Sequence, residues 1–193
     1  QGGRTMYDTD LYQPIIQKAA ELAGVRYDRD PQTDKALRVI ADHLRGATFL
    51  VADGVLPGNE GRSYVLRRVV RRAVRHGRLI GLDGPFVGEI VDLVIDMYGE
   101  HNPELVERRG QIVRTLTHEE ESFGKTLQSG INRLQALTDD LRQKSETVIP
   151  GEEAFRLYDT YGFPYDLTVE LAEEEGLQVD GAGFTEAMER QRQ

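Results

Sequence analysis

The chain has 193 residues, a formal net charge of −9 and no cysteine. That length buries a sizeable core as one domain or two small ones, and the lack of Cys removes disulfides and thiolate metal sites. No run of 18 apolar residues occurs, so no membrane-spanning helix is encoded.

The opening QGGRTMYDTD has no basic-then-apolar leader pattern and no initiating Met, so a fragment or processed piece in the reducing cytoplasm is expected. Asp8 or Asp10 caps a first helix over about 10–23, stopped by Gly24. Residues 25–32 read as a loop through Pro31, and Thr33 caps a second helix over about 34–52, with Leu37, Ile40, Ala41, Leu44 and Thr48 on one side. Asp53-Gly54 and Pro57-Gly58-Asn59 bracket a turn.

RSYVLRRVVRRAVRHGR, residues 62–78, then carries seven arginines and no acid. On a helical wheel Val65, Leu66, Val69, Val70, Ala73 and Val74 fall in one half. Arg67, Arg68, Arg71, Arg72, Arg75 and Arg78 fall between roughly 200° and 340°. One face suits a core and the other suits a polyanion. The helix ends near Gly77 or Gly81, and another follows over about 85–98.

Asn102-Pro103-Glu104 is a helix start: N-cap, proline at N1, then an acid. Leu105, Ile112, Leu116, Phe123, Leu127, Leu134 and Leu141 recur with coiled-coil-like spacing. One helix of ~38 residues would span ~57 Å, and the alternative is a pair broken near Gly124 or Gly130. Residues 143–150 read as a linker. Helices over about 152–160 and 165–175, a short extended LQV and a last helix from about 183 complete the pattern. The expected class is all-α: a helical bundle with a long helix or helical hairpin. Two subdomains are expected, 1–101 with the arginine helix and 102–193 with the long helix and C-terminal helices.

Chemical motifs are sparse. There is no G-x-x-x-x-G-K phosphate loop and no G-x-S-x-G elbow. His43, His76, His101 and His118 lie at least 17 residues apart, so no helical His pair holds zinc. Asp8 and Asp10 read as caps rather than metal ligands, and Glu119-Glu120-Glu121 as a solvated face. An acidic chain argues against nucleic acid, but the charge is uneven: residues 151–193 hold eleven acids against three bases. The arginine stripe therefore has two readings, as partner to the chain's own acids or to a polyanion. A DNA-binding helical module is a weaker third, since no short helix-turn-helix unit is present.

The run ALRVIADHLRGATFLVADGVLPGNEGRSYVLRRVVRRAVRHG resembles the middle helical region of the alanyl-tRNA synthetase family. So does FRLYDTYGFPYDLTVELAEEEGLQVDGAGFTEAMERQR, and YDTDLY and HEEESFGKTLQSG fit the same family in order and separation. The resemblance covers nearly the whole chain. It implies a tRNA-recognition region lying between a class II catalytic domain and an editing domain. Such a region docks on the tRNA acceptor stem and reads a G·U wobble pair at its third position. Near a helix end the A-form groove is open, and the wobble leaves the guanine 2-amino group without its usual partner. The resemblance puts the wobble-reading asparagine at Asn59 and its partner aspartate at Asp159.

On the residues alone, Asn59 is a turn residue and N-cap, and Asp159 a polar residue near a helix end. Arg62, Arg67, Arg68, Arg71, Arg72 and Arg75 would then be backbone contacts or internal ion pairs, not all of them reaching one duplex. Ser63 stands where the family commonly has Gly, and Gly58 where it often has Ser or Asp. Both departures bear on loop geometry. The resemblance implies ATP and magnesium for the parent ligase and zinc in its editing domain, with none held by this piece, which should be inactive alone. Its expected partners are the acceptor stem and the parent's own catalytic and editing domains, with no membrane and no DNA. A helical scaffold that packs on the catalytic domain, or self-associates through the long-helix seam, is the alternative.

Overall fold

A computed structural model describes residues 5–193, and the opening QGGR of the leader reading lies outside the described residues. The expected all-α class is found. Among the described residues there are ten α-helices, one short 3-10 turn (Met6–Asp8) and two two-residue strands. Chain contacts divide the molecule between Glu121 and Ser122 into two compact units.

The first unit holds α1 (Gln13–Ala23), α2 (Pro31–Ala52), α3 (Gly61–Leu79), α4 (Val87–Tyr98), α5 (Pro103–Glu107) and most of α6 (Arg109–Gly124). Helix α2 is its hub, touching α1, α3, α4 and α5. Leu37, Ile40 and Leu44 of α2, Ile15 and Ile16 of α1, Leu66 of α3 and Ile90 and Ile95 of α4 are fully buried. Each such side chain stabilises the fold by about 1.5–3 kcal/mol.

Two helix starts differ from expectation. Pro31 does not end a loop; it occupies the first turn of α2, where its fixed φ and missing N–H do no harm. The cap is Asp30, whose carboxylate accepts from the Thr33 backbone N–H at 3.0 Å and its hydroxyl at 2.9 Å. Asp8 caps no long helix: it accepts from the Thr5 backbone N–H at 2.9 Å and closes the 3-10 turn, and α1 begins after Tyr12.

The segment after Asn102 is broken twice. The first break, at Arg108, was not expected; the Arg108 guanidinium donates to the Ala52 carbonyl at the end of α2. The second falls beside Gly124, one of the two expected places, before α7 (Leu127–Gln143). Gly130 lies inside α7, and the ring of Phe163 packs against it, 2.3 Å from where a Cβ would sit.

The second unit contains α7, β1 (Val148–Ile149), α8 (Gly151–Tyr161), α9 (Tyr165–Glu174), β2 (Gln178–Val179) and α10 (Gly181–Arg192). The expected linker over 143–150 contributes a strand: β1 and β2 pair in parallel, Val148 opposite Gln178 and Ile149 opposite Val179. Helices α8 and α9 form the crossover that a parallel pair requires. Phe163, fully buried, meets Phe123 edge to face at 5.5 Å. Phe184 of α10 packs on Tyr165 at 4.5 Å and on Tyr158 at 5.8 Å, tying α10 to α8 and α9.

Candidate nucleic-acid interface

The loop of residues 53–60 delivers Asn59 to the start of α3. Its Gly58 N–H donates to the Ser63 carbonyl at 3.0 Å, so the loop folds back on the first helical turn. Gly61 opens α3 with φ +59°, a left-handed backbone that glycine adopts without strain. The N-cap position is Glu60, not Asn59, and no side chain caps it. The exposed Asn59 is therefore held by something else.

That holder is Arg67. Its Nη1 donates to Asn59 Oδ1 at 2.7 Å and its Nε donates to Glu119 Oε1 at 2.9 Å. Arg71 Nε donates to the same Glu119 oxygen at 2.8 Å. Glu119 is only 4% exposed, and Glu120 beside it 6%, so the expectation of a solvated acidic face fails for both. Spacing explains it. Glu119 lies three residues after Leu116 and four before Phe123, on the buried side of α6. A carboxylate there needs a buried counter-charge, and two guanidiniums supply it.

The arginine stripe is thus partly internal. Leu66, Val70, Ala73 and Val74 are buried as expected, but so are Arg71 at 7% and Arg75 at 6% exposure, while Val65 reaches the surface. Arg68 lies over the Tyr64 ring, 5.9 Å from its centroid. Arg72 Nη1 donates to His43 Nε2 at 2.9 Å, and His43 Nδ1 faces Asp42 at 3.2 Å. This fixes the neutral tautomer, with Nδ1–H donating to the carboxylate. Burial first, and then the Arg72 charge, pushes the His43 pKa below its usual range. Arg62 lies on the surface, 3.7 Å from Asp53.

Asp159 belongs to the second unit, on the exposed side of α8 near its C-terminus. Its Oδ1 accepts from Gln191 Nε2 of α10 at 3.1 Å. The structure therefore brings Asn59 and Arg67 together, joins Arg67 to Arg71 through Glu119, and holds Asp159 on the other unit. The residues that sequence reasoning missed are Glu119, as the buried anchor, and the His43–Asp42 pair behind Arg72.

Comparison with known proteins decides the lineage. The family model described as tRNA synthetases class II (A) matches residues 1–193. The chain is 52% identical over 193 residues to an alanine–tRNA ligase of Pelotomaculum thermopropionicum, covering 100% of this chain and 22% of that protein. The chain belongs to the alanyl-tRNA synthetase family. Similar enzymes include the alanine–tRNA ligases of Geobacillus thermodenitrificans, 51% identical over 98% of the chain and 22% of that protein, and Xanthomonas axonopodis pv. citri, 49% identical over 98% of the chain and 20% of that protein. The chain spans about a fifth of the length of these relatives.

Within this alanyl-tRNA synthetase segment, positions 58 and 63 meet across the loop that carries Asn59. A Cβ on Gly58 would stand 3.0 Å from the Ser63 Cβ. A side chain at position 58 beside Gly at 63, or Gly at 58 beside Ser63, each places one small side chain in that gap.

Proposed function

We propose that this chain is the tRNA-recognition segment of an alanine–tRNA ligase, and that Asn59 and Asp159 read the G·U wobble pair of the acceptor stem. What supports the reading is the fixed amide of Asn59. Arginine only donates, so the oxygen of the amide must face Arg67 and the NH2 must face away. No described residue accepts from that NH2. The carbonyl oxygen keeps a second lone pair for the free 2-amino group of the wobble guanine, while the NH2 donates to a neighbouring oxygen. Asp159, an acceptor with lone pairs left beyond its Gln191 bond, addresses the pair from the second helical element.

Arg62, Arg68 and Arg72 are the members of the stripe proposed to lie along phosphates, fixing register without reading sequence. Arg71 and Arg75 serve the core of α3, and Arg67 serves Asn59. ATP and magnesium are proposed for the ligase's catalytic domain and zinc for its editing domain, with the cytoplasm as its place of work. The chain has no Cys, and no group of three His, Asp or Glu among the described residues converges as a metal site, so the residues here do not fit that zinc. Self-association through the long-helix seam, one arm of the scaffold alternative, needs an open seam. Ile112, Leu116, Phe123 and Leu127 of that seam are 0% exposed, covered by the chain's own side chains.

The test is made in the full-length ligase. Asn59→Ala or Asp159→Ala is expected to lower charging of wobble-containing tRNA by about 10- to 100-fold, the worth of one good base contact. Alanine-dependent ATP–pyrophosphate exchange is expected to fall far less. Equal losses in both assays would assign the effect to folding or to the catalytic domain.

A further inference from the structure

Asn59 sits in an exposed loop and does not cap its helix, so its amide orientation depends on what it bonds. We propose that Glu119 is a positioning residue for wobble discrimination, acting through Arg67 to hold the Asn59 amide in one orientation. The proposal rests on Asn59 reading the wobble pair.

The geometry is a relay of three side chains on three segments. Glu119 is rooted on α6 and buried to 4% exposure. Two Nε donors converge on its Oε1, from Arg67 at 2.9 Å and Arg71 at 2.8 Å. Arg67 sits on α3, with its side chain about a quarter exposed, and reaches Asn59 Oδ1 at 2.7 Å. A free arginine side chain has many rotamers, and a bond from its tip to a loop asparagine would be transient. With Nε anchored on a buried carboxylate, the planar fork points Nη1 at one place.

Arg71 contributes from below. Packed in the core, it braces the Glu119 carboxylate, which would otherwise follow Arg67 toward solvent. If the Asn59 amide turned over, its NH2 would face the Arg67 donor and its oxygen would face the stem, and the donor–acceptor pattern offered to the base pair would be reversed. Glu119 therefore acts on discrimination without touching the RNA.

A direct phosphate contact by Arg67 makes opposite predictions. Lysine serves a phosphate as a point charge but cannot fork between Glu119 and Asn59. In the full-length ligase, charging efficiency is measured on two RNA hairpins that copy the acceptor stem, one with G·U and one with G·C at the third pair. Arg67→Lys and Glu119→Gln are each expected to shrink the G·U preference about ten-fold. Neither is expected to shrink it further once Asn59→Ala is present, because all three act through one amide.

Two results would overturn the proposal while leaving the Asn59 reading intact. In one, Asn59→Ala abolishes the preference but Arg67→Lys keeps it whole. In the other, the effects of Arg67→Lys and Asn59→Ala multiply. A preference untouched by Asn59→Ala would remove the reading beneath it, and the proposal with it. Thermal unfolding of each variant separates positioning from misfolding. Should Glu119→Gln unfold, Arg67→Lys, which retains a cation beside Glu119, still decides the matter.

Discussion

Glu120, next to the clamp, shows how a single buried carboxyl is tolerated in this fold. Its Oε2 accepts from the backbone N–H groups of Phe86 at 3.0 Å and Val87 at 3.3 Å, so it caps α4 from a different helix. Its Oε1 is buried with no hydrogen-bond partner among the described residues. Burial raises its pKa above the ordinary 4.5, and the two backbone bonds only partly oppose that shift. The folded state therefore holds this proton longer than the unfolded chain does. Stability from this group is complete below pH 4.5 and is lost as pH rises through the raised folded value. Glu120→Gln removes the titration. The melting temperature of the variant minus that of the parent chain is expected to climb as pH rises above 4.5 and then level off. A difference that stays flat across that range would mean that Glu120 is not desolvated in the folded chain. From the residues alone Glu119 and Glu120 looked solvated, because three consecutive acids resemble a surface run. The apolar spacing of Ile112, Leu116 and Phe123 already placed Glu119 on the buried side. What the spacing could not supply was the partner, since Arg67 lies 52 residues away in the chain.

The loop–helix element that carries Asn59 makes its own prediction. Gly58→Ser alone puts a side chain 3.0 Å from the Ser63 Cβ and should destabilise the chain by about 1 kcal/mol. Ser63→Gly reopens the gap, at a small helix-propensity cost in the first turn of α3. Together the two should recover most of the Gly58→Ser loss, a coupling of about 1 kcal/mol read from urea midpoints in a double-mutant cycle. Strictly additive effects would show that the loop is not closed at this contact. Elements with strong periodicity, such as α2, α3 and α8, were legible from the chain alone, although the caps of α2 and α3 were not. The break at Arg108 was not: Arg108 meets the Ala52 carbonyl at the end of a distant helix, and no local signal announces that contact. Nor was the β1–β2 pair: two residues per strand carry no periodicity, and parallel pairing joins segments some 30 residues apart. Gly151 belongs with them. A Cβ there would lie 2.2 Å from the Phe184 nitrogen, a closeness of the starts of α8 and α10 that composition does not announce.

Over the whole molecule, the charge pattern bears on the proposed RNA role. The total of −9 opposes binding at long range. Attraction must come from the stripe, and much of the stripe is already committed. Arg67 and Arg71 share Glu119, and Arg71 and Arg75 are buried. If the six candidate arginines, Arg62, Arg67, Arg68, Arg71, Arg72 and Arg75, all neutralised phosphates, binding would weaken with a log–log salt slope of about −5, at roughly −0.9 per contact. Three phosphate contacts, by Arg62, Arg68 and Arg72 as proposed, would give a slope of roughly −3. An acceptor-stem hairpin titrated against this chain from low to moderate salt is expected to follow the shallower line. Arg68→Ala should lower its steepness by about one and weaken G·U and G·C stems alike. Arg75→Ala should leave the slope unchanged and lower the melting temperature instead, because it empties a buried site rather than a phosphate contact. A slope near −5 would require Arg71 and Arg75 to leave the core on binding, and the bond from Arg71 to Glu119 would have to break for that to happen.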